Sequence, residues 1–174
     1  MCHRLIPATL AALAALAIAG AASADVSLVE AGIVCPEIRD AVERQEAPDT
    51  ETGFIDIIDE AIVFDSPTRD VPLIPHLSMG LRVASDSDEV LVADIVVEHP
   101  PFGAAEVSRE SWETVIEPGG TTIGLFSFDF PYEMVAGPWV FAVEVDGERF
   151  VEVSFNVGVD PAAVDAVCVG MMSV

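Results

Sequence analysis

The sequence predicts an all-β protein, built as an antiparallel β-sandwich of about seven to eight strands and followed by a short C-terminal helix. Three observations carry that expectation. Apolar residues alternate with polar ones over short stretches: Trp139, Phe141, Val143 and Val145 share one face of an extended strand, and Val151, Val153, Phe155 and Val157 share one face of the next. Turn chemistry recurs at short spacing, at Ser85 to Glu89, Glu117 to Gly120 and Asp146-Gly147. No helical pattern is long enough to serve as the crossover of a parallel sheet.

Taken in order, residues 1–24 read as a secretory signal. His3 and Arg4 form a short basic start, an alanine-leucine core follows, and Ala22-Ser23-Ala24 supplies the small-residue cleavage site. An uncleaved membrane anchor is the alternative, for which the apolar run is short. No cysteine follows a lipobox-like stretch at the cleavage point, so a lipoprotein anchor is not supported. Residues 25–53 are expected to hold a first strand, VSLVEAGIVCP, ended by Pro36, and a polar connection with one helical turn near Ile38 to Val42. Residues 54–157 are expected to form the sandwich core, joined by the strand at 28–35. FIDIIDEAIVFD opens that core, and three prolines in SPTRDVPLIPH interrupt it. LSMGLRVAS points Leu77, Met79, Leu81 and Val83 inward, and SDSDE is expected to turn the chain back as a hairpin into VLVADIVVEHP. Two more strands flank Glu117-Pro118-Gly119-Gly120, with the faces of Ile123, Leu125 and Ser127 against Phe126, Phe128 and Phe130 left open. Residues 158–174 are expected to form a helical tail, with Asp160 as N-cap, Pro161 at the first helical position and Gly170 past the end.

The last hairpin poses a parity problem. A two-residue turn at Asp146-Gly147 pairs Val145 with Glu148 and, continued regularly, sends the two apolar rows to opposite faces. A three-residue loop, Val145-Asp146-Gly147, with Gly147 left-handed in a bulge, pairs Phe141 with Val151 and Trp139 with Val153 and keeps both rows on one core. The second register is the expected one.

Without the signal, roughly 150 residues remain, enough for one domain. Six arginines then face 30 acidic residues and no lysine, a formal charge of −24. Such a surface repels nucleic acid and anionic lipid, and no stable membrane insertion is expected once the signal is cleaved. It favours a basic partner or cations, or simply keeps the protein soluble. Two cysteines remain, Cys35 and Cys168, and an oxidising compartment favours a bridge between them. Two buried thiols or a soft-metal pair are the alternatives, the latter without a nearby histidine or Cys-x-x-Cys.

At IPHLSMGLRV (Ile74 to Val83), EHPPF (Glu98 to Phe102) and YEMVAGPWVFAVEVDGERFVEVSFNV (Tyr132 to Val157), the chain resembles a family of exported bacterial immunoglobulin-like domains of unknown function. Glu133, Gly137, Trp139, Phe155 and Val157 carry the Glu-x-x-x-Gly-x-Trp and terminal Phe-x-Val parts of that pattern. The resemblance spans roughly residues 28 to 157 and implies an immunoglobulin-like sandwich. It brings no catalytic residues, and a Gly-x-Trp strand marks architecture rather than activity.

Candidate chemistry is sparse. Outside the signal the histidines are His76 and His99, with neither G-x-S-x-G nor H-E-x-x-H, so no catalytic residues are assigned and no enzyme is expected. His76 and His99 are candidates for a metal or proton-transfer role if the two meet in space, with His99 the candidate binding residue, and are surface residues at strand ends otherwise. Trp112, between Glu110 and Glu113, is a candidate stacking surface for a ligand or partner, or else a half-buried edge residue. Asp86, Asp88 and Glu89 form the best calcium candidate, because hard cations need several oxygens around one point; the same residues are ordinary turn formers. Asp56, Asp59 and Glu60 pose the same choice. Tyr132-Glu133 is either a backbone-bonding corner or a plain strand end. The sequence therefore leads to an exported, periplasmic or secreted, non-catalytic module that binds a protein or envelope component. A protein that holds Ca²⁺ or a small ligand in its acidic loops is the alternative, and no other cofactor is implied.

Overall fold

The computed structural model describes residues 26–39, 41–58, 61–163 and Cys168. The signal, Asp59, Glu60 and most of the tail lie outside these residues.

Among the described residues ten strands follow in order: β1 (Val26–Val34), β2 (Glu43–Glu46), β3 (Phe54–Ile57), β4 (Asp70–Val71), β5 (Ser78–Ser85), β6 (Leu91–Phe102), β7 (Val107–Ile116), β8 (Thr121–Ser127), β9 (Gly137–Val145) and β10 (Glu148–Val157). Eight of them form the two sheets of a sandwich, one ordered β1-β5-β8 and the other β4-β10-β9-β6-β7. In immunoglobulin lettering these read A-B-E and A′-G-F-C-C′, so the immunoglobulin-like expectation holds at the level of topology. One pairing departs from the antiparallel expectation: β4 runs parallel to β10, Asp70 and Val71 beside Asn156 and Val157.

Two local expectations are corrected. β5 and β6 do not form a hairpin. They belong to opposite sheets, and the turn at Ser85 to Glu89 carries the chain across the sandwich, because tight-turn residues specify a reversal and not which strand is joined afterwards. Phe54–Ile57, expected in the sandwich core, pairs instead with Glu43–Glu46, where a helical turn or loop was expected. Together they make a separate two-stranded arm.

The hairpin of β9 and β10 solves its parity differently from the expected three-residue loop. Asp146 (φ 51°) and Gly147 (φ 77°) make a two-residue turn that pairs Val145 with Glu148. Both positive φ values match the mirror-image turns that hairpins favour. A bulge between Arg149 and Val151 then absorbs one extra residue, Phe150, so Val151 pairs with Val143, Val153 with Phe141 and Phe155 with Trp139. Both apolar rows face one core, as the alternation requires.

That core contains Leu77, Met79, Leu81 and Val83 from one sheet, and Ile95, Val97, Trp139, Phe141 and Val143 from the other, all fully buried. Each large side chain contributes roughly 1.5–3 kcal/mol by leaving water. Phe126 on β8 and Phe128 just beyond it join the core, while Ile123 and Leu125 stand on the other face of β8 at intermediate exposure. Gly124 lets the sheets approach, since a Cβ there would lie 2.7 Å from Ile95 Cγ2.

At the chain's far end, Asp160 Oδ1 accepts the N–H of Ala162 at 3.0 Å and Pro161–Ala163 form one 3-10 turn. The cap is where it was expected. The helix expected beyond it is not shown, since the rest of the tail apart from Cys168 lies outside the described residues. Cys35, just after β1, is bonded to Cys168.

Candidate functional site

Strand β7 ends the five-stranded sheet, and the arm lies against its free edge. The N–H of Ser111 donates to Asp49 O at 3.1 Å, Gln45 Nε2 donates to Glu113 O at 3.4 Å, and the N–H of Glu51 donates to Glu110 Oε1 at 2.7 Å. Residues 45–51, the end of β2 and the turn after it, thus stand where a neighbouring strand would pair.

A groove of about 300 Å³ runs between that turn and β7, with Glu46, Asp49, Asp94, Ser111, Trp112 and Glu113 among its lining. Glu113, Asp94 and Glu144 are direct neighbours across β7, β6 and β9. Such neighbours stand roughly 4.5–5.5 Å apart at Cβ, close enough for like charges to repel. Arg109 and Arg149 pair with Glu144, whereas Asp94 and Glu113 have no arginine partner among the described residues. The groove therefore carries uncompensated negative charge.

Trp112 pairs with Ile95 on the inner face and packs half-buried against the core while forming part of the groove wall. Of its two sequence readings, the half-buried edge residue describes its position.

His99 is not at the surface. Its side chain is fully buried, stacked on Phe102 (ring centroids 4.1 Å apart, planes 5° apart) and tilted against Trp139 at 4.7 Å. The physical reason is a wide irregularity in β6: Glu98 pairs with Arg109 and Phe102 with Val107, so His99, Pro100 and Pro101 together face Ser108. His99 Nδ1 lies 3.0 Å from Pro100 O, and Nε2 lies 3.5 Å from Oε2 of Glu110, itself buried. His76 instead pairs with Asp129 at the surface, Nδ1 to Oδ1 at 3.3 Å.

Asp86, Asp88 and Glu89 are exposed on a turn that serine hydroxyls hold: Ser85 Oγ accepts the N–H of Ser87 at 3.1 Å, and Ser87 Oγ that of Glu89 at 3.0 Å. Among the described residues, no group of three or more histidines, cysteines or carboxylates is placed to hold a metal ion. Asp56 pairs with Arg44 at 2.9 Å, and Asp59 and Glu60 lie outside the described residues.

The corner before β9 is built by Glu133 rather than Tyr132. Glu133 Oε2 accepts the N–H groups of Asp129 and Phe130, each at 2.9 Å, while Tyr132 stacks on Phe130 with centroids 5.3 Å apart. Burial pushes the Glu133 carboxyl up to about 7, against the lowering effect of those two N–H groups. Sequence reasoning passed over Glu110 as a mere neighbour of Trp112; its signal was parity, since it shares the inner face with Trp112 and Ile116.

On the outer face of the same sheet, Glu98, Pro100, Ser108, Arg109, Pro138 and Val140 line a broad, open depression of about 480 Å³. Its two charged groups already belong to the ion pairs of that face. No helix among the described residues is long and apolar enough to cross a membrane.

Residues 22–157 match the model of a family described as "Domain of unknown function (DUF3859)". No curated protein matches the chain. Among solved structures, it is similar to an immunoglobulin-like protein from Pseudomonas aeruginosa, with 19% identity and a TM-score of 0.48, covering 79% of this chain and 99% of that one. It is also similar to a DNA-bound alkylpurine DNA glycosylase from Pseudomonas fluorescens, with 12% identity and a TM-score of 0.37, covering 78% of this chain and 31% of that one. A β-D-glucoside glucohydrolase from Trichoderma reesei matches with 10% identity and a TM-score of 0.36, covering 78% and 19%.

Proposed function

Since the chain belongs to the family described as a domain of unknown function (DUF3859), which fixes no activity for it, we propose a role from its own surface. The role is that of an exported, non-catalytic binding module of the cell envelope that takes a basic, extended protein segment in the groove beside β7. The observation that carries it is the state of that edge. Ser111 and Glu113 turn backbone groups outward, toward a turn and one glutamine side chain rather than toward a strand, next to unpaired Asp94 and Glu113 carboxylates. An extended peptide in the groove presents its arginine or lysine side chains to these carboxylates, and gains main-chain hydrogen bonds from Ser111 and Glu113 of β7 only where it displaces Asp49 and Gln45. The Cys35–Cys168 bridge supports export, because such bonds persist in oxidising compartments.

The test is an NMR titration of the mature, oxidised protein with an arginine-containing extended peptide and its glutamate-substituted counterpart. Shifts at Gln45 to Asp49 and Ser111 to Glu113 with the arginine peptide alone are the expected result. Asp94→Asn with Glu113→Gln should weaken that binding about tenfold. Equal response to both peptides, or none in the groove, would overturn the reading.

A further inference from the structure

Strand β7 has a second stretch of edge, which the arm leaves open. In an antiparallel pair the N–H and C=O of every other residue point away from the partner strand. Ser111 N–H bonds Asp49 O and Glu113 O bonds Gln45 Nε2, so the odd-numbered residues of β7 point these groups away from β6. Val115 has the same parity. Among the described residues nothing bonds its N–H or its C=O.

The side chains beside that edge form a surface in two parts. Val115 lies directly opposite Val92 of β6, and the two are 46% and 52% exposed. Two residues away on the same outer face, Glu113 lies opposite Asp94. An apolar pair and an acidic pair thus stand roughly 7 Å apart along the strand. Thr114, between them, turns inward and meets Thr122 of β8, Oγ1 to Oγ1 at 2.9 Å, which anchors this end of β7 to the facing sheet.

We propose that this edge sets the sequence order of the segment it binds: an apolar residue, any residue, then arginine or lysine, laid antiparallel to β7. The inference rests on the binding role proposed above and adds a register to it. Antiparallel pairing follows from the edge itself, since both groups of Val115 point the same way and one residue can meet them together. In that register the apolar residue lies opposite Val115, exchanges two main-chain bonds with it and covers Val115 and Val92. The bound chain runs against β7, so the residue two positions later stands opposite Glu113. Its cation then faces the Glu113 and Asp94 carboxylates. A cation one position earlier would stand on the other face, away from both. Past Glu113 the edge is occupied, because Asp49 holds Ser111.

The experiment compares three end-blocked heptapeptides of one composition by NMR titration of the mature, oxidised protein. They are Ser-Thr-Val-Thr-Arg-Thr-Ser, the reverse order Ser-Thr-Arg-Thr-Val-Thr-Ser and the adjacent order Ser-Thr-Thr-Val-Arg-Thr-Ser. The first should bind about tenfold more tightly than the other two. It alone should slow hydrogen exchange at the Val115 amide while leaving the Ser111 amide unchanged. Val92→Thr with Val115→Thr, which keeps the β-branched shape at exposed positions, should bring the first peptide down to the level of the others. Equal affinities for the three peptides, or a preference for the reverse order, would overturn the order rule and leave the groove's selection of a cation standing. No response at Glu113 to any of the three would overturn the binding role and the order rule with it.

Discussion

Arg149 on β10 reaches over β9 to Glu98 on β6, Nη2 to Oε1 at 2.7 Å, and on the way bonds Glu144 at 3.0 Å and Glu152 at 2.8 Å. The strip it spans holds Val96 and Ala142, both fully buried although they lie on the outer face of the sheet. The bulge at Phe150 makes this arrangement possible, since it puts Arg149 outside and Val151 inside.

Arg149→Ala should cost about 1–2 kcal/mol at neutral pH, through Glu98 and Glu152 left unneutralised, Glu144 left to Arg109 alone, and an uncovered apolar strip. Hydrogen bonding to Arg149 holds the Glu98 carboxyl below its usual range. A depressed carboxyl stabilises the fold above its unfolded value, and that contribution is lost as pH falls through the folded one. Denaturation curves of wild type and variant should therefore converge in acid.

Glu133 has the opposite sign. Its folded value of about 7 lies above its unfolded value near 4.5, so the native state holds an extra proton between the two and stability falls as pH rises through that window. The effect is at most roughly 3 kcal/mol. Glu133→Gln should flatten the slope while retaining an acceptor for Asp129 and Phe130. Glu133→Ala should lower stability at every pH, as read by urea melts.

Reducing the Cys35–Cys168 bond opens a loop of 133 residues. The chain-entropy account values that closure at roughly 4 to 5 kcal/mol. The melting temperature should drop sharply on reduction in the wild type, and the Cys35→Ser, Cys168→Ser double variant should show the low value with or without reductant.

Deleting Phe150 removes the one-residue correction in β10. Val151 then follows Arg149 directly and keeps Val143 as its partner, as Glu152 keeps Ala142, so every later side chain holds its face and the deletion should leave cooperative unfolding by calorimetry intact. Phe150→Val keeps the count and should cost no more than about 2 kcal/mol.

Calcium gives a discriminating control. Serine hydroxyls hold the turn while Asp86 and Asp88 point their charge into solvent, so the double alanine variant should melt within about 1 °C of the wild type, with or without millimolar Ca²⁺. A Ca²⁺-dependent rise that this variant lacks would instead establish a cation site.

Alternation made the sandwich legible: Leu77 to Val83, Trp139 to Val143 and Val151 to Val157 lie where their periodicity puts them. Parity also showed that the last hairpin needed one residue of adjustment, though not that Phe150 would supply it, because a bulge leaves no compositional mark beside a turn already rich in Asp and Gly. β2 was invisible, since Glu-Arg-Gln-Glu is exposed throughout and carries no alternation, and its order comes from neighbours such as Phe54 and Asp56 across the pair. The acidic groove and the His99–Glu110 pair depend on which strands become neighbours, a tertiary property. Trp112 drew attention for its ring, yet its position matters as much for the edge it marks.

The sulfur bridge also sets how the protein would carry tension. A pull applied at residue 26 and at Cys168 runs along β1 to Cys35 and then crosses directly to Cys168. The other described strands lie in the bypassed loop, and among them only β5 feels the pull, through its pairing with β1. Such a module, anchored at both ends, would yield by at most the peeling of one strand from β5 and otherwise act as an inextensible link.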